Sequence, residues 1–122
     1  MVAYGTNDWS KYTKEIVKGN CEGFYKALRY NYPDTPILAF TPIWRKDGCN
    51  YREFGLFHEI GELIGETVKL YENITVISGC DFVPKKEEFF ADRRLHPNDA
   101  GFECFFHNLY KELIKKNSIN LL

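Results

Sequence analysis

Two short segments hold residue types that can do chemistry. Gly5-Thr6-Asn7-Asp8-Trp9 follows directly on an apolar run. Gly5 permits a tight turn, and Asn7 can then present its carboxamide NH2 to the oxyanion of a tetrahedral intermediate. Asn7 and Asp8 equally suit the cap of a following helix. The second segment, Asp92-Arg93-Arg94-Leu95-His96-Pro97-Asn98-Asp99-Ala100-Gly101-Phe102, precedes the last periodic stretch of the chain. A histidine held by a following proline, with a carboxylate upstream, makes a fair general base. The plain alternative is a surface-loop histidine beside a helix cap. Arg93 and Arg94 work against the imidazolium that a general base must become.

Other constellations are weaker. Cys104 and His107 stand at i, i+3 as a possible metal edge, but only two ligands are local and the neighbours are aromatic, so a buried-core reading is preferred. Cys80 beside Asp81 is a thiol that His96 could serve as base. His58 next to Glu59 and Glu62 reads as a solvent-facing helix residue, and Lys85-Lys86-Glu87-Glu88 as a solvated loop. Trp9, Trp44 and Phe89-Phe90 either line a cleft as a substrate-facing wall or anchor loops in the core.

The elements that must position these residues alternate. Val2–Tyr4 is a short apolar run ended by Gly5. A helix is expected from about Ser10, its cap, to Tyr30, with Pro33 enforcing a stop. Pro36–Thr41 is continuously apolar, the pattern of a strand covered on both faces. A second helix is expected from about Tyr51 to Tyr71, with Phe54, Phe57, Ile60, Leu63, Ile64 and Val68 along one stripe. Ile74–Ile77 reads as a third strand. The last helix carries Phe102, Phe105, Phe106, Leu109, Leu113 and Ile114, capped by Asn98 or Asp99. The order β-α-β-α-β-loop-α implies parallel strands, sequential order and right-handed crossovers that put the first two helices on one face. The longer connections, Pro42 to about Tyr51 and Ser78 to about Asn98, leave carboxyl ends of strands, where open parallel sheets bind ligands.

Length and composition fit one domain. The chain has 122 residues, 44% hydrophobic and 16% aromatic, enough for a packed core. Sixteen Lys and Arg against seventeen Asp and Glu give a net charge of −1, without the basic surplus that nucleic-acid binding needs. No apolar run is long enough to span a bilayer. The residues after Met1 show no secretory pattern, and the four cysteines form no C-x-x-C pair. A cytoplasmic chain with free thiols is therefore expected.

Taken together, Gly-x-Asn-Asp after a strand (Gly5 to Asp8) and His-Pro-Asn-Asp-x-Gly-Phe before the final helix (His96 to Phe102) resemble the SGNH (GDSL-type) hydrolases, a family of serine esterases and acylhydrolases. Tyr32-Pro33-Asp34-Thr35-Pro36-Ile37 with Thr41-Pro42 is similar to the strand between those blocks. The resemblance covers essentially the whole chain. It implies a flavodoxin-like three-layer α/β/α fold, here partial, with residues 1–122 as the C-terminal part of one domain. It implies Asn7 as oxyanion donor, His96 as general base and a small ester as substrate, with no cofactor or metal. Trp9 and Trp44 are the candidate substrate-binding residues.

Two departures matter. The family places an acidic residue three before the histidine, where this chain has Arg93; Asp92 lies four before and is the candidate orienting carboxylate. The Gly-Asp-Ser block with the nucleophile is absent, and Ser10, Ser78 and Ser118 lack its context. The chain alone is thus expected to be inactive. The alternative of a different class is a non-catalytic α/β remnant that serves as a binding or assembly module. With the family's first strand missing, Val2–Tyr4 becomes an exposed edge. With a helix also missing, one sheet face would be covered only by Phe102, Phe105, Phe106 and Leu109, leaving Ile37–Phe40 and Ile74–Ile77 partly bare. A homodimer through those edges or faces is expected.

Overall fold

The computed structural model of the chain describes residues 1–116; Ser118 and the Leu121-Leu122 pair lie outside the described residues. Three strands, β1 (Val2–Ala3), β2 (Ile37–Phe40) and β3 (Ile74–Ile77), alternate with the helices α1 (Lys14–Asn31) and α2 (Glu59–Val68), and α3 (Asp99–Lys115) follows. The strands form one parallel sheet in the order β1-β2-β3. This is a small α/β architecture with a parallel sheet, as the alternation of runs implies. The chain divides into two compact units, Met1–Pro42 with Gly48–Ser78, and Ile43–Asp47 with Gly79–Leu122.

The first unit holds the sheet, α1 and α2. Val2 is in register with Ala39, and Ala39 with Val76, so these side chains point to one face. Onto that face α1 packs Val17, Cys21 and Tyr25, while α2 packs Ile60, Ile64 and Val68. The two helices therefore share a face, as right-handed crossovers require.

Both helices start later than periodicity suggests. Ser10 ends a 3-10 turn (Asp8–Ser10) and spends its hydroxyl on the Asn7 carbonyl at 3.0 Å. The cap of α1 is Thr13, which accepts the Ile16 N–H. Ahead of α2, Arg52 and Gly55 exchange backbone hydrogen bonds of 3.1 and 2.9 Å. Gly55 has φ 121°, a conformation that L side chains avoid. Phe54 and Phe57 thus join the apolar stripe from a turn rather than from a helix.

One expectation about exposure is overturned. Ile37, Leu38, Ala39 and Phe40 are all buried, so the middle strand is not bare. It is flanked by a strand on each edge and covered by α1 and α2 at Ala39. In β3, Ile77 is buried and Ile74–Val76 are half-buried. Among the described residues β1 pairs only with β2 and remains an edge.

Trp9 is the keystone of this unit. It has no exposed area, packs edge-on against Phe57 with ring centroids 5.2 Å apart, and donates its indole N–H to the Gly55 carbonyl at 3.1 Å. Trp9→Phe keeps a ring but removes the indole hydrogen bond, leaving the Gly55 carbonyl with the Arg52 N–H alone, and the net worth of such a bond is about 0.5–1.5 kcal/mol. Urea unfolding followed by far-UV circular dichroism is expected to show a loss in that range; an unchanged midpoint would mean the bond contributes nothing.

In the second unit, Asn98 caps α3 by accepting the Gly101 N–H at 3.0 Å. Gly101 is buried, and a Cβ there would collide with the Phe89 carbonyl oxygen. Farther along, Phe105 meets Phe82 edge-on at 5.1 Å, and Asn108 donates to the Phe82 carbonyl at 2.9 Å. These contacts fix the rotation of α3. Phe105 and Leu109 are half-buried, whereas Phe102 and Phe106, expected to cover the sheet, are exposed. Gly101, Phe105 and Asn108 occupy the inward face, so the helix cannot turn the other two aromatics inward as well. Among the described residues no helix is long and apolar enough to cross a membrane, and Cys21, Cys49, Cys80 and Cys104 are free thiols.

Candidate active site

The segment around His96 is a closed loop. Phe90 and Pro97 bridge its two ends. The Ala91 N–H donates to the His96 carbonyl at 2.7 Å and the Asn98 N–H to the Phe89 carbonyl at 3.0 Å. Asn98 also donates its carboxamide NH2 to the Glu88 carbonyl at 2.7 Å. The residue that caps α3 therefore also anchors the return of the loop.

Inside the loop, Asp92 organises everything. Its Oδ1 accepts the backbone N–H groups of Arg94 (3.0 Å), Leu95 (2.8 Å) and His96 (3.1 Å). Its Oδ2 lies 2.7 Å from Nδ1 of His96. These hydrogen bonds, that from Leu95 first, hold the Asp92 carboxyl far below the usual carboxylate range. A carboxylate can only accept, so Nδ1 of His96 carries the proton and Nε2 presents a lone pair. The imidazole side chain is 72% exposed, and Nε2 makes no hydrogen bond among the described residues. A carboxylate-oriented imidazole with an open Nε2 is the geometry of a general base.

The four-residue step from Asp92 to His96 turns at Arg93. Its φ is 56°, the left-handed region that non-glycine residues rarely enter, and its N–H donates to the Phe90 carbonyl at 3.0 Å. That turn lets a carboxylate four residues upstream still reach Nδ1.

A clamp that sequence reasoning missed holds the loop from outside. Arg45, only 3% exposed, makes a forked ion pair with Asp47 through Nε (2.6 Å) and Nη2 (2.9 Å). Asp47 also accepts from Arg94 Nη1 at 3.2 Å, and the Lys46 N–H donates to the Arg94 carbonyl at 3.0 Å. The Arg45 hydrogen bond is the main cause that holds the Asp47 carboxyl below its ordinary range. Trp44 packs against Phe90 with centroids 5.3 Å apart, and Lys46 pairs with Glu87 at 2.5 Å. No motif flags these residues; the only trace is a run of opposite charges, Arg45-Lys46-Asp47, in a strand-exit loop.

The structure thus brings Asp92 and His96 together, and half-buried Trp44 lies on Phe90 at the base of their loop. Asn7 belongs to the first unit. It is exposed, stands at the cap position of the Asp8–Ser10 turn, and makes no side-chain cap bond. Its carboxamide is not consumed by capping. Trp9, weighed as a cleft wall, has no surface to offer a substrate and anchors its loop instead. His107 is exposed beside Glu103 at 3.8 Å, Cys104 is half-buried, and no group of three metal-ligating side chains occurs among the described residues. No protein-family model matches the chain, and neither the curated proteins nor the solved structures contain a match.

Proposed function

We propose that the Asp92–His96 pair is the acid–base half of an SGNH-type ester-hydrolase site, and that the chain has the corresponding partial three-layer α/β/α form. The observation that supports this most is the Asp92 carboxylate, fastened by three backbone N–H groups and bonded at 2.7 Å to Nδ1 of His96. Nε2 would take the proton of a serine hydroxyl as its oxygen attacks the ester carbonyl, and return it to the departing alcohol. The same reading gives Asn7 the oxyanion-donor role, consistent with its unengaged carboxamide. The serine would come from a Gly-Asp-Ser segment outside these 122 residues. On this reading the substrate is an acetylated carbohydrate, a short acyl ester or a lysolipid, and the sequence does not choose among them.

A specific observation favours a second reading: no hydroxyl or thiol among the described residues engages Nε2 of His96. On that reading the chain is a non-catalytic binding or assembly module. The test compares the 122-residue chain with the full product of its genomic reading frame on p-nitrophenyl acetate. The chain alone is expected to show no turnover above background. The longer product, if it supplies the serine, is expected to label with a fluorophosphonate and to lose its turnover with His96→Ala. Hydrolysis that survives His96→Ala overturns the mechanism. A reading frame with no upstream Gly-Asp-Ser segment, and no turnover, establishes the module.

A further inference from the structure

The outward face of α3 carries Phe102, Phe106, Tyr110 and Ile114 at successive four-residue steps, and they are 58, 61, 53 and 44% exposed. The Phe106 and Tyr110 rings stack with centroids 6.3 Å apart, so the ridge is already ordered. A row at i, i+4 is the ridge that packs into the matching row of another helix. Each covered aromatic buries about 150–250 Å², and roughly half of that is still open here. Two such faces with their flanks reach about 1,000 Å², the low end of a specific interface.

The charges on the helix say what kind of partner fits. Asp99 and Glu103 occupy its first half, and Lys111, Lys115 and Lys116 its second. Glu112, the one acidic residue of the second half, is engaged by Lys115 at 3.1 Å. A parallel copy would set like charges against each other. An antiparallel copy sets acidic turns on basic turns and opposes the helix dipoles. The surface is complementary to itself under a twofold operation, as an isologous interface demands.

We infer that the outward face of α3 docks a second copy of this chain, α3 against antiparallel α3. With the twofold axis midway between Phe106 and Tyr110, Phe106 meets the partner's Tyr110 and Phe102 meets the partner's Ile114. Glu103 then lies toward the partner's Lys111. The inference is independent of the hydrolase reading and names a surface other than the β1 edge.

Sedimentation velocity of the chain across about 1–100 μM, the range where an interface of this size dissociates, reads the outcome. The wild type is expected to dimerise, and Phe106→Glu to weaken the dimer at least about tenfold with unchanged circular dichroism. Glu103→Lys and Lys111→Glu are each expected to weaken it, and the double swap to restore it, which only a specific antiparallel register explains. A wild-type monomer at 100 μM, whatever else covers the face, overturns the inference. So does a dimer indifferent to Phe106→Glu and to both charge reversals, which would point to the β1 edge.

Discussion

If the proposed hydrolase reading holds, Asp92→Asn is expected to lower kcat/KM of the product that carries the serine by up to about 10⁴-fold, the loss seen when an orienting carboxylate is neutralised without loss of geometry. The carboxamide Oδ1 of Asn can still accept the N–H groups of Arg94, Leu95 and His96, so the loop keeps its shape. The change falls on the imidazole. The Nδ2 group of Asn is a donor, which forces Nδ1 of His96 to accept and moves the proton to Nε2. A protonated Nε2 cannot take a proton from serine. Nitrogen-15 NMR of His96 reads this tautomer change in the 122-residue chain, apart from any turnover. An Asn variant with the wild-type tautomer and an undiminished rate would remove Asp92 from the mechanism. The pH dependence follows in sign. The folded-state pKa of Asp92 is depressed, so its contribution to loop stability is complete above the ordinary carboxylate value of about 4 and is lost as pH falls through its own lower value. Asp92 therefore stays ionised throughout the range in which imidazoles in general titrate.

The strands were legible because continuous apolar runs between prolines and glycines leave few alternatives, and the start of α3 was legible because Asn98 is a strong cap. The start of α2 was not. Phe54 and Phe57 keep helical spacing, and periodicity cannot see that Gly55 takes a φ of 121° between them. The rotation of α3 was misread for a related reason. Aromatics occur on both sides of this helix, so the apolar pattern does not choose a face; Gly101 against the Phe89 carbonyl and Asn108 on the Phe82 carbonyl choose it. At the candidate site the residue types were visible. Whether a carboxylate four residues upstream could reach the ring depends on the left-handed turn at Arg93, and arginine does not announce such a turn. The role of Trp9 was ambiguous because a tryptophan in a strand-exit loop suits a cleft wall as well as an anchor. Its partner, the Gly55 carbonyl, is distant in sequence.

Asp47→Ala is expected to destabilise the second unit by about 3–5 kcal/mol, the usual result of stripping one partner from a buried ion pair. Two features put Asp47 in that class. The Arg45 side chain is 2% exposed, so its guanidinium depends on protein partners rather than on bulk water. Asp47 also joins two segments, since it takes the forked pair from Arg45 and a third hydrogen bond from Arg94. Losing it frees the far side of the Asp92–His96 loop, so the His96 resonances should broaden or shift along with the fall in stability. Much of the cost comes from a buried guanidinium losing its carboxylate rather than from the worth of the pair itself. Arg45→Met combined with Asp47→Leu removes both charges and is therefore expected to recover most of the loss. The acid side offers a check on sign. The folded-state pKa of Asp47 is also depressed, so its contribution is full above about pH 4 and disappears as pH falls through its depressed value. The stability gap between wild type and Asp47→Ala, measured by urea unfolding at a series of pH values, should stay constant from neutral pH to about 5 and narrow below 4. A gap below about 1 kcal/mol at neutral pH is what a solvent-screened surface pair gives; that result would show the clamp to be ornamental and would leave the Asp92 hydrogen bonds alone to hold the loop.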